Sequence, residues 1–205
     1  LTVIGQAGTL VVPTLTGKRE DSPNCPPVFD VRKTPCWTGI IPETVRNMDG
    51  VTRSLHPTHS VAALGSRKLA MTSGHEDSAS PCDAKSPFFK NAVTGGYILL
   101  IGVDQESNTS VHSCEEIAEV PYHLQRDVSR IYITGYEEER ILVVNRLHDW
   151  GKPPTNFNKL DELYKNLGMM TMGKIGSAEV RLIKSAAMFD FTIDLLKKDP
   201  LFLLV

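Results

Sequence analysis

The stretch GGYILLIGVDQESNTSVHSCEE, residues 95–116, joins an apolar run to a polar segment rich in helix-capping residues. Residues 97–103 are continuously apolar and of strand length, which is typical of a strand covered on both faces. Asn108, Thr109 or Ser110 can cap a helix that begins immediately afterwards. A buried strand that leads directly into a helix predicts an α/β fold.

Strand and helix patterns alternate along the rest of the chain. Strands are predicted at 9–16, at 130–136 and 139–147 as a hairpin, and in a short piece after Lys174. Helices are predicted at 39–48, at 61–72 with Ser60 as the N-cap, within 86–96, at 156–168 ending at Gly168, and from about Ala186. Residues 17–35 and 74–87 are expected to be loops. Residues 1–205 are therefore predicted to form one domain, a three-layer α/β/α structure with a mixed central sheet.

The composition is that of an ordinary globular protein. Of 205 residues, 41% are hydrophobic and 22% are charged, and the formal net charge is −2. This charge gives no bulk attraction to nucleic acid or to an anionic membrane, so we expect neither partner. The apolar run is far shorter than the roughly 20 residues of a membrane-spanning helix. The cysteines form no C-x-x-C pair, which favours reduced thiols and a cytoplasmic protein: Cys25, Cys36, Cys82 and Cys114.

His112 has three interpretations: a catalytic base, a metal ligand, or a residue of a well-capped helix start. His112 and Glu115 are three residues apart and so project from the same face of a helix. A carboxylate beside an imidazole fixes its tautomer and stabilises the imidazolium, whereas a helix N-terminus acts in the opposite direction. In the third interpretation Glu115 and Glu116 simply occupy the electropositive first turns. Cys114 has two glutamate neighbours, which disfavour a thiolate, and is predicted to be a small core residue.

A second polar cluster, RSLHPTHS, occupies residues 53–60. Its H-x-x-H pair is a weak metal motif, because the proline forces local extension. An anion site is the stronger interpretation, since Arg53 offers a planar fork of donors and hydroxyls stand before an expected helix. These hydroxyls belong to Ser54, Thr58 and Ser60. The alternative is a loop held by its own side-chain hydrogen bonds. We predict no metal site.

Segments spread along nearly the whole chain carry a family resemblance. They are GTLVVPTLT, VFD, TPCWTGIIPETVR, RSLHPTHSVAALG, SPFFK, GGYILLIGV, NTSVHSCEE, VPY and GKIGSAEVRLIKSAAMFDFTIDLLKKDP. In this order they resemble the aminoglycoside 3-N-acetyltransferase family. The resemblance implies a three-layer α/β/α enzyme unrelated to the GNAT acetyltransferases. It also implies acetyl transfer from acetyl-coenzyme A to the 3-amino group of 2-deoxystreptamine aminoglycosides, and hence antibiotic resistance.

The resemblance also implies roles for individual residues. The family's N-T-x-x-H-x-x-E pattern places the catalytic histidine and glutamate at His112 and Glu115. Thr109 or backbone amides at the helix start would donate to the oxyanion. The family's R-S-x-H-P segment implies coenzyme binding by Arg53, Ser54, His56 and Pro57, to which we add Thr58 and Ser60. Carboxylates expected to attract a polycationic amino sugar are Asp30, Glu43, Glu116 and Glu119.

Three alternatives remain open: an acyl-enzyme formed on Cys114 with His112 as its base, transfer to a different amine, and coenzyme A binding without turnover. Family members usually carry, before the GTLVVPT strand, a strand and a helix with a V-H-S-S-L-like segment that contributes to coenzyme binding. This sequence has no such segment, so we expect it to be either a truncated relative or a partial chain. The expected partners are a small-molecule amine and a second copy in a homodimer.

Overall fold

The computed structural model describes residues 5–16, 28–136 and 139–205. Residue contacts divide them into two compact units. The first unit holds the described residues up to Pro81, with Lys85–Pro87 and Arg126–Leu147, and the second holds Cys82–Ala84, Phe88–Gln125 and His148–Val205. The predicted α/β class is confirmed, because helices alternate with strands that pair in both directions. The single domain stays a prediction.

One sheet of the first unit has the order β1-β4-β3, with both pairings antiparallel. Its strands are β1 (Thr9–Pro13), β3 (Thr52–Arg53) and β4 (Val61–Gly65). Gly65 lies opposite Thr9 at φ 130°, and a Cβ there would stand 2.3 Å from the carbonyl oxygen of Gly8. Only glycine therefore permits this close approach of the two strands.

A second sheet has the order β2-β6-β7, and its residues belong to the first unit apart from Leu124, Gln125 and His148. Its strands are β2 (Val28–Asp30), β6 (Leu124–Tyr136) and β7 (Glu139–His148), and β2 runs parallel to β6. The two predicted hairpin strands are present, whereas β2 lies in a segment wrongly predicted to be loop. Phe29 explains why this short strand forms, because its fully buried ring packs with Ile133 and Val143 in the core of the unit.

The helix predicted over 61–72 is wrong in its first half. Val61, Ala62 and Ala63 are fully buried in strand β4, which has a partner on each side. Sheet pairing outweighs the helical spacing of these residues. Only a short helix follows, α2 (Lys68–Thr72), and the Ser60 hydroxyl donates to the Thr14 carbonyl rather than capping a helix. The helix predicted over 39–48 is confirmed as α1 (Ile40–Arg46).

The second unit contains an antiparallel sheet of order β5-β9-β8. Its strands are β5 (Tyr97–Ile101), β8 (Met170–Ile175) and β9 (Ala178–Lys184), so the single strand piece predicted after Lys174 is a hairpin. Strand β5 was expected to be covered on both faces, but Tyr97, Leu99 and Ile101 are exposed while Leu100 is buried. Alternate side chains of β5 point outward because the described structure covers one face of this sheet.

Four helices accompany this sheet: α3 (Pro87–Val93), α4 (Thr109–Ile117), α5 (Lys159–Asn166) and α6 (Ser185–Lys198). Each matches a predicted helix. Helix α4 packs against α6, and Val111, Cys114 and Met188 are fully buried. Cys114 is thus a core residue, as predicted, and burial raises the pKa of its thiol. None of the described helices has the length and apolar character that a membrane span requires.

Candidate active site

Helix α4 carries the central residues of the site. The Asn108 side chain caps this helix by accepting from the backbone N–H of Ser110 at 3.2 Å. The predicted cap is therefore confirmed. The helix ends at Ile117, however, so Glu115 and Glu116 lie in its last turn and not, as predicted, in its electropositive first turns. The interaction of these carboxylates with the helix dipole is correspondingly unfavourable, and side-chain partners must compensate for it.

His112 and Glu115 form the hydrogen bond that their spacing predicts. Nδ1 of His112 lies 2.7 Å from Oε2 of Glu115. A carboxylate accepts, so Nδ1–H is the donor and Nε2 keeps its lone pair. The His112 side chain is 25% exposed, against 0% for Glu115. The His112 ring is therefore partly exposed, and a buried carboxylate fixes its orientation.

Two further side chains meet Glu115. Nδ1 of His123 lies 3.1 Å from the same Oε2, and its ring stacks on that of His112 with the centroids 4.9 Å apart. Nζ of Lys152 lies 3.7 Å from Oε1 of Glu115 and 3.2 Å from Nδ1 of His123. Burial lowers the pKa of Lys152, and the charge of Glu115 acts against that shift. Glu115 thus meets two imidazoles at Oε2 and one ammonium at Oε1.

Glu116 is buried and fully engaged. Both of its carboxylate oxygens accept from the Cys82 backbone N–H at 2.9–3.0 Å, and Oε1 lies 2.7 Å from Nε2 of His148. Its side chain is 1% exposed. Glu116 is therefore not solvated, because the Cys82 amide and the His148 ring replace water. Its role in substrate binding stays a prediction.

Two aromatic side chains lie next to His112 and Glu115. The buried Phe157 ring meets the His112 ring edge to face, with the centroids 5.1 Å apart. Burial raises the pKa of the Tyr122 phenol, and the charge of Glu115 raises it further, so this phenol remains neutral. A low-polarity wall strengthens the bond between His112 and Glu115, since less water competes for it.

Arg53, a predicted coenzyme ligand, is buried in the first unit, and its guanidinium donates to protein acceptors. Nε lies 3.0 Å from the Ser60 hydroxyl, Nη1 lies 2.6 Å from the Thr34 carbonyl, and Nη2 lies 2.9 Å from the Thr14 carbonyl. Burial lowers the pKa of Arg53 to about 10, which still leaves it charged at neutral pH. Arg53 therefore joins three chain segments, and coenzyme binding by Arg53 stays a prediction.

The neighbouring histidine of this cluster is also enclosed. Nδ1 of His56 faces the backbone N–H groups of Thr58 and His59 at 3.3 and 3.1 Å. Nδ1 therefore accepts from these amides, and Nε2 lies 2.6 Å from Nδ2 of Asn145. Burial lowers the pKa of His56, which keeps the ring neutral. This network matches the loop alternative considered for residues 53–60.

The remaining predicted cofactor residues belong to the same buried region. The Ser54 hydroxyl accepts from the Val61 amide at 2.9 Å, and it lies 2.9 Å from Nδ1 of His75. The Pro57 carbonyl accepts from the Thr16 hydroxyl at 2.5 Å. The structure thus brings the predicted cluster together, but within the interior of the first unit.

The predicted substrate carboxylates occupy different places. Asp30 closes a turn by accepting from the amides of Arg32 and Lys33, each at 2.9 Å. Glu43 pairs with Arg46 in the first unit. Glu119 is exposed in the second unit, with a left-handed φ of 57°. Their contact with substrate stays a prediction for all three.

The ion pair of Glu43 and Arg46 predicts how the free energy of unfolding changes as the pH falls. The hydrogen bonds from Arg46 hold the pKa of Glu43 well below its usual range, and the Cys36 amide adds to the effect. A lowered folded-state pKa stabilises the protein above the unfolded-state pKa of 4.5 and loses this effect as pH falls. Glu43→Gln should lower the free energy of unfolding by about 1–3 kcal/mol at pH 7.

Urea denaturation at several pH values tests this expectation. The wild-type and Glu43→Gln curves should converge as the pH falls below 4.5. Asp49→Asn, which changes an exposed carboxylate in the same unit, is the matched control and should change little. A constant gap between wild type and Glu43→Gln down to about pH 2 would contradict the assignment.

Residues 1–197 match the sequence profile of the aminoglycoside 3-N-acetyltransferase family. The chain belongs to this family. The predicted membership is thereby confirmed over nearly the whole chain.

Relatives from several bacteria share this family. The chain is 29% identical to aminoglycoside N(3)-acetyltransferase IV of Salmonella sp. over 203 residues, which cover 98% of this chain and 72% of that protein. It is 27% identical over 218 residues to the SPbeta prophage-derived aminoglycoside N(3')-acetyltransferase-like protein YokD of Bacillus subtilis (strain 168), covering 92% of this chain and 74% of the relative.

Solved structures of the family share the fold. The aminoglycoside acetyltransferase AAC(3)-IVa apoenzyme superposes with a TM-score of 0.80 at 26% identity, covering 100% of this chain and 74% of that one. AAC-VIa bound to sisomicin gives a TM-score of 0.80 at 23% identity, covering 97% and 81%. The predicted fold class, distinct from GNAT, is confirmed.

Three residues of the site escaped the sequence analysis: His123, His148 and Lys152. None belongs to α4, and each reaches the α4 glutamates only through the tertiary fold. One sequence signal was available. Glu115 and Glu116 share a short helix with apolar core residues, and buried carboxylates require partners.

Proposed function

We propose that this chain is an acetyl-coenzyme-A-dependent N-acetyltransferase that modifies the 3-amino group of 2-deoxystreptamine aminoglycosides. Family membership supports the reaction type. Related structures hold coenzyme A in AAC-IIIb and a gentamicin in AAC(3)-IVa, which supports both substrates. The observation that carries the proposal is the 2.7 Å hydrogen bond between Nδ1 of His112 and the buried carboxylate of Glu115.

The chemistry requires a base. An aminoglycoside amine is an ammonium ion in water and must lose a proton before its nitrogen can attack. Solvent takes that first proton, and Nε2 of His112 takes a second proton from the nitrogen as the nitrogen bonds to the thioester carbonyl carbon. The C–S bond then breaks, and the coenzyme A thiolate leaves with the electron pair. Glu115 stabilises the imidazolium that forms, and Thr109 at the start of α4 remains the candidate oxyanion donor.

Direct transfer is favoured over a Cys114 acyl-enzyme. Cys114 is fully buried, and burial together with the charge of Glu115 raises its pKa, so the thiolate is scarce. Cys114→Ala should leave kcat near the wild-type value while lowering the free energy of unfolding by about 0.5–3 kcal/mol. Initial rates and urea denaturation measure the two effects. An acetyl group trapped on Cys114, found by mass spectrometry, would restore the acyl-enzyme mechanism.

A substrate panel tests the proposed function itself. The full chain is incubated with acetyl-coenzyme A and aminoglycosides that either carry or lack a free 3-amino group, and acetylated products are identified by mass spectrometry. Acetylation at the 3-amino group, with higher resistance in a bacterial host, is the expected result. Transfer only to a different amine would support the alternative acceptor, and coenzyme A binding without any product would support a binding protein.

A further inference from the structure

The N-cap of helix α4 is held in place by a neighbouring side chain. Asn108 is 2% exposed, and its Oδ1 accepts from the backbone N–H of Ser110 at 3.2 Å. Its Nδ2 donates to Oε1 of Gln105 at 2.9 Å. Because the amide group is planar, the bond to Gln105 fixes the direction of the oxygen that caps the helix. Thr109, the candidate oxyanion donor, follows Asn108 directly, and His112 lies one turn further along α4.

Gln105 is itself fixed by a carboxylate of another helix. Gln105 is fully buried, and its Nε2 donates to Oδ1 of Asp161 in helix α5 at 2.9 Å. Oδ2 of Asp161 accepts from Nε and Nη2 of Arg181 in strand β9, at 3.0 and 2.8 Å. Nη1 of Arg181 donates to the Val103 carbonyl at 3.0 Å, shortly after strand β5 ends. Hydrogen bonds therefore connect β9, through α5, to the start of α4.

The carboxylate of Asp161 sets the direction of the bonds in this chain, here called the cap relay: Arg181, Asp161, Gln105 and Asn108. A carboxylate only accepts, so the Gln105 amide must turn Nε2 towards Asp161 and Oε1 towards Asn108. Asn108 must then donate through Nδ2, which leaves its Oδ1 for the Ser110 N–H. If either amide group turned over, two like atoms would face each other. Asp161 thus determines which atom of Asn108 faces the helix.

Each amide group of the cap relay also faces a thioether. Sδ of Met170 lies 3.6 Å from Nε2 of Gln105, and Sδ of Met188 lies 3.7 Å from Nδ2 of Asn108. A thioether is a weak acceptor and cannot donate, so it does not replace Asp161 or Gln105 as a partner. In these buried surroundings the hydrogen bonds of the cap relay are strong, because little water competes for them.

The backbone beside the cap relay is tied down as well. The Gln105 N–H donates to Oδ1 of Asn158 at 3.2 Å, and the Phe157 N–H donates to Oε1 of Glu106 at 2.5 Å. The segment that precedes α4 is therefore bound to the segment that precedes α5. Because the Phe157 ring meets the ring of His112, these bonds also place a side chain against the proposed base.

We propose that Gln105 is a positioning residue for acetyl transfer, and that Asp161 and Arg181 act on the reaction through it. The effect on the rate rests on the proposed function, whereas the effect on α4 does not. An oxyanion donor must lie within about 2.7–3.1 Å of the oxygen, and a displacement of about 1 Å can cost roughly 100-fold in rate. Since the oxyanion forms only during the reaction, loosening the start of α4 should lower kcat and leave KM nearly unchanged.

Gln105→Met tests the rate, because it removes both side-chain hydrogen bonds of Gln105 at similar volume. We expect kcat to fall by about 10–100-fold, and KM for acetyl-coenzyme A and for a 3-amino aminoglycoside to change by less than about 3-fold. The matched control is Tyr164→Phe, which removes a buried 2.7 Å hydrogen bond to Thr192 in the same unit and leaves the cap relay intact. Its kcat should stay within about 2-fold of wild type, at a temperature where circular dichroism shows all variants to be folded.

A second substitution separates positioning from general destabilisation. Serine caps a helix through a hydroxyl that needs no support from Gln105. Adding Asn108→Ser to Gln105→Met should therefore raise kcat at least about 3-fold above that of Gln105→Met alone. A double variant no faster than Gln105→Met would contradict the proposed action through the cap.

Hydrogen exchange tests the cap relay without any turnover. The Ser110 N–H donates to the Asn108 side chain, so loosening that side chain exposes this proton to solvent. Measured by NMR, its exchange should be roughly 3–30-fold faster in Gln105→Met, in line with the usual contribution of an N-cap. The same proton should exchange at the wild-type rate in Tyr164→Phe.

The outcomes are distinguishable. Unchanged exchange of the Ser110 N–H in Gln105→Met would overturn the cap relay, and faster exchange at a wild-type kcat would overturn its effect on the rate. Equal losses of kcat in Gln105→Met and Tyr164→Phe, or a raised KM at unchanged kcat, would also contradict positioning by Gln105. If the wild type acetylates no amine, the proposed function fails, whereas the exchange of the Ser110 N–H still tests the cap relay.

Discussion

His112→Asn should lower kcat for acetyl transfer by about 10²–10⁴-fold, the usual contribution of a positioned general base. Asparagine keeps a polar side chain near Glu115 but cannot accept the amine proton. Because the asparagine amide can still donate a hydrogen bond, the free energy of unfolding should fall by no more than about 0.5–3 kcal/mol. Steady-state rates with acetyl-coenzyme A and a 3-amino aminoglycoside measure the effect, and urea denaturation verifies the fold.

Variants of Glu115 test whether this residue and His112 act together. Glu115→Gln removes the charge that stabilises the imidazolium and the acceptor that sets its tautomer. If the two residues act as a unit, the double variant should be no slower than His112→Asn alone. Multiplicative losses would mean that Glu115 acts independently of His112. A wild-type rate in His112→Asn would eliminate the proposed base.

Arg53→Met should destabilise the protein by more than about 3 kcal/mol, because each buried acceptor left without a donor costs roughly 1–3 kcal/mol. The change removes the Arg53 donor from the carbonyls of Val31 and Thr34. The Thr14 carbonyl and the Ser60 hydroxyl each lose one hydrogen bond and keep their bond to one another. Methionine retains most of the volume, so the loss is mainly one of hydrogen bonds. The urea midpoint should fall at an unchanged slope.

Arg32→Met is the matched control, since Arg32 is exposed in the same unit, and its effect should stay within about 0.5 kcal/mol. Equal and small effects of the two changes would contradict a structural role for Arg53. A stable Arg53→Met variant that has lost affinity for coenzyme A would instead support the predicted coenzyme role.

Sequence patterns correctly predicted those elements whose structure depends on residues close together in the chain. The Asn108 cap and the helix after strand β5 depend on neighbouring residues, and so does the pair of His112 and Glu115, which one helix turn brings together. Strand β4 was mispredicted because Val-Ala-Ala-Leu is compatible with either structure. Its pairing with β1 and β3, distant in sequence, decides the outcome.

Some residues of the site were missed for the same reason. His123, His148 and Lys152 approach the α4 glutamates through the tertiary fold, and no spacing in the sequence records that approach. The burial of Glu116 depends on the Cys82 amide, which lies 34 residues away in the chain. Likewise, the sequence predicted that the Arg53 guanidinium is available to bind an anion, because no sequence pattern identifies the backbone carbonyls to which it donates.

The three cysteines of the described structure should differ in how fast they react with a disulfide reagent. Cys82 and Cys114 are free and fully buried, and burial raises the pKa of both, whereas Cys36 is only partly buried. A reagent that reports coenzyme A release should therefore leave Cys82 and Cys114 unmodified while the protein is folded. A slow, late rise in absorbance, caused by modification of these two thiols, would therefore report the rate of unfolding during each activity measurement.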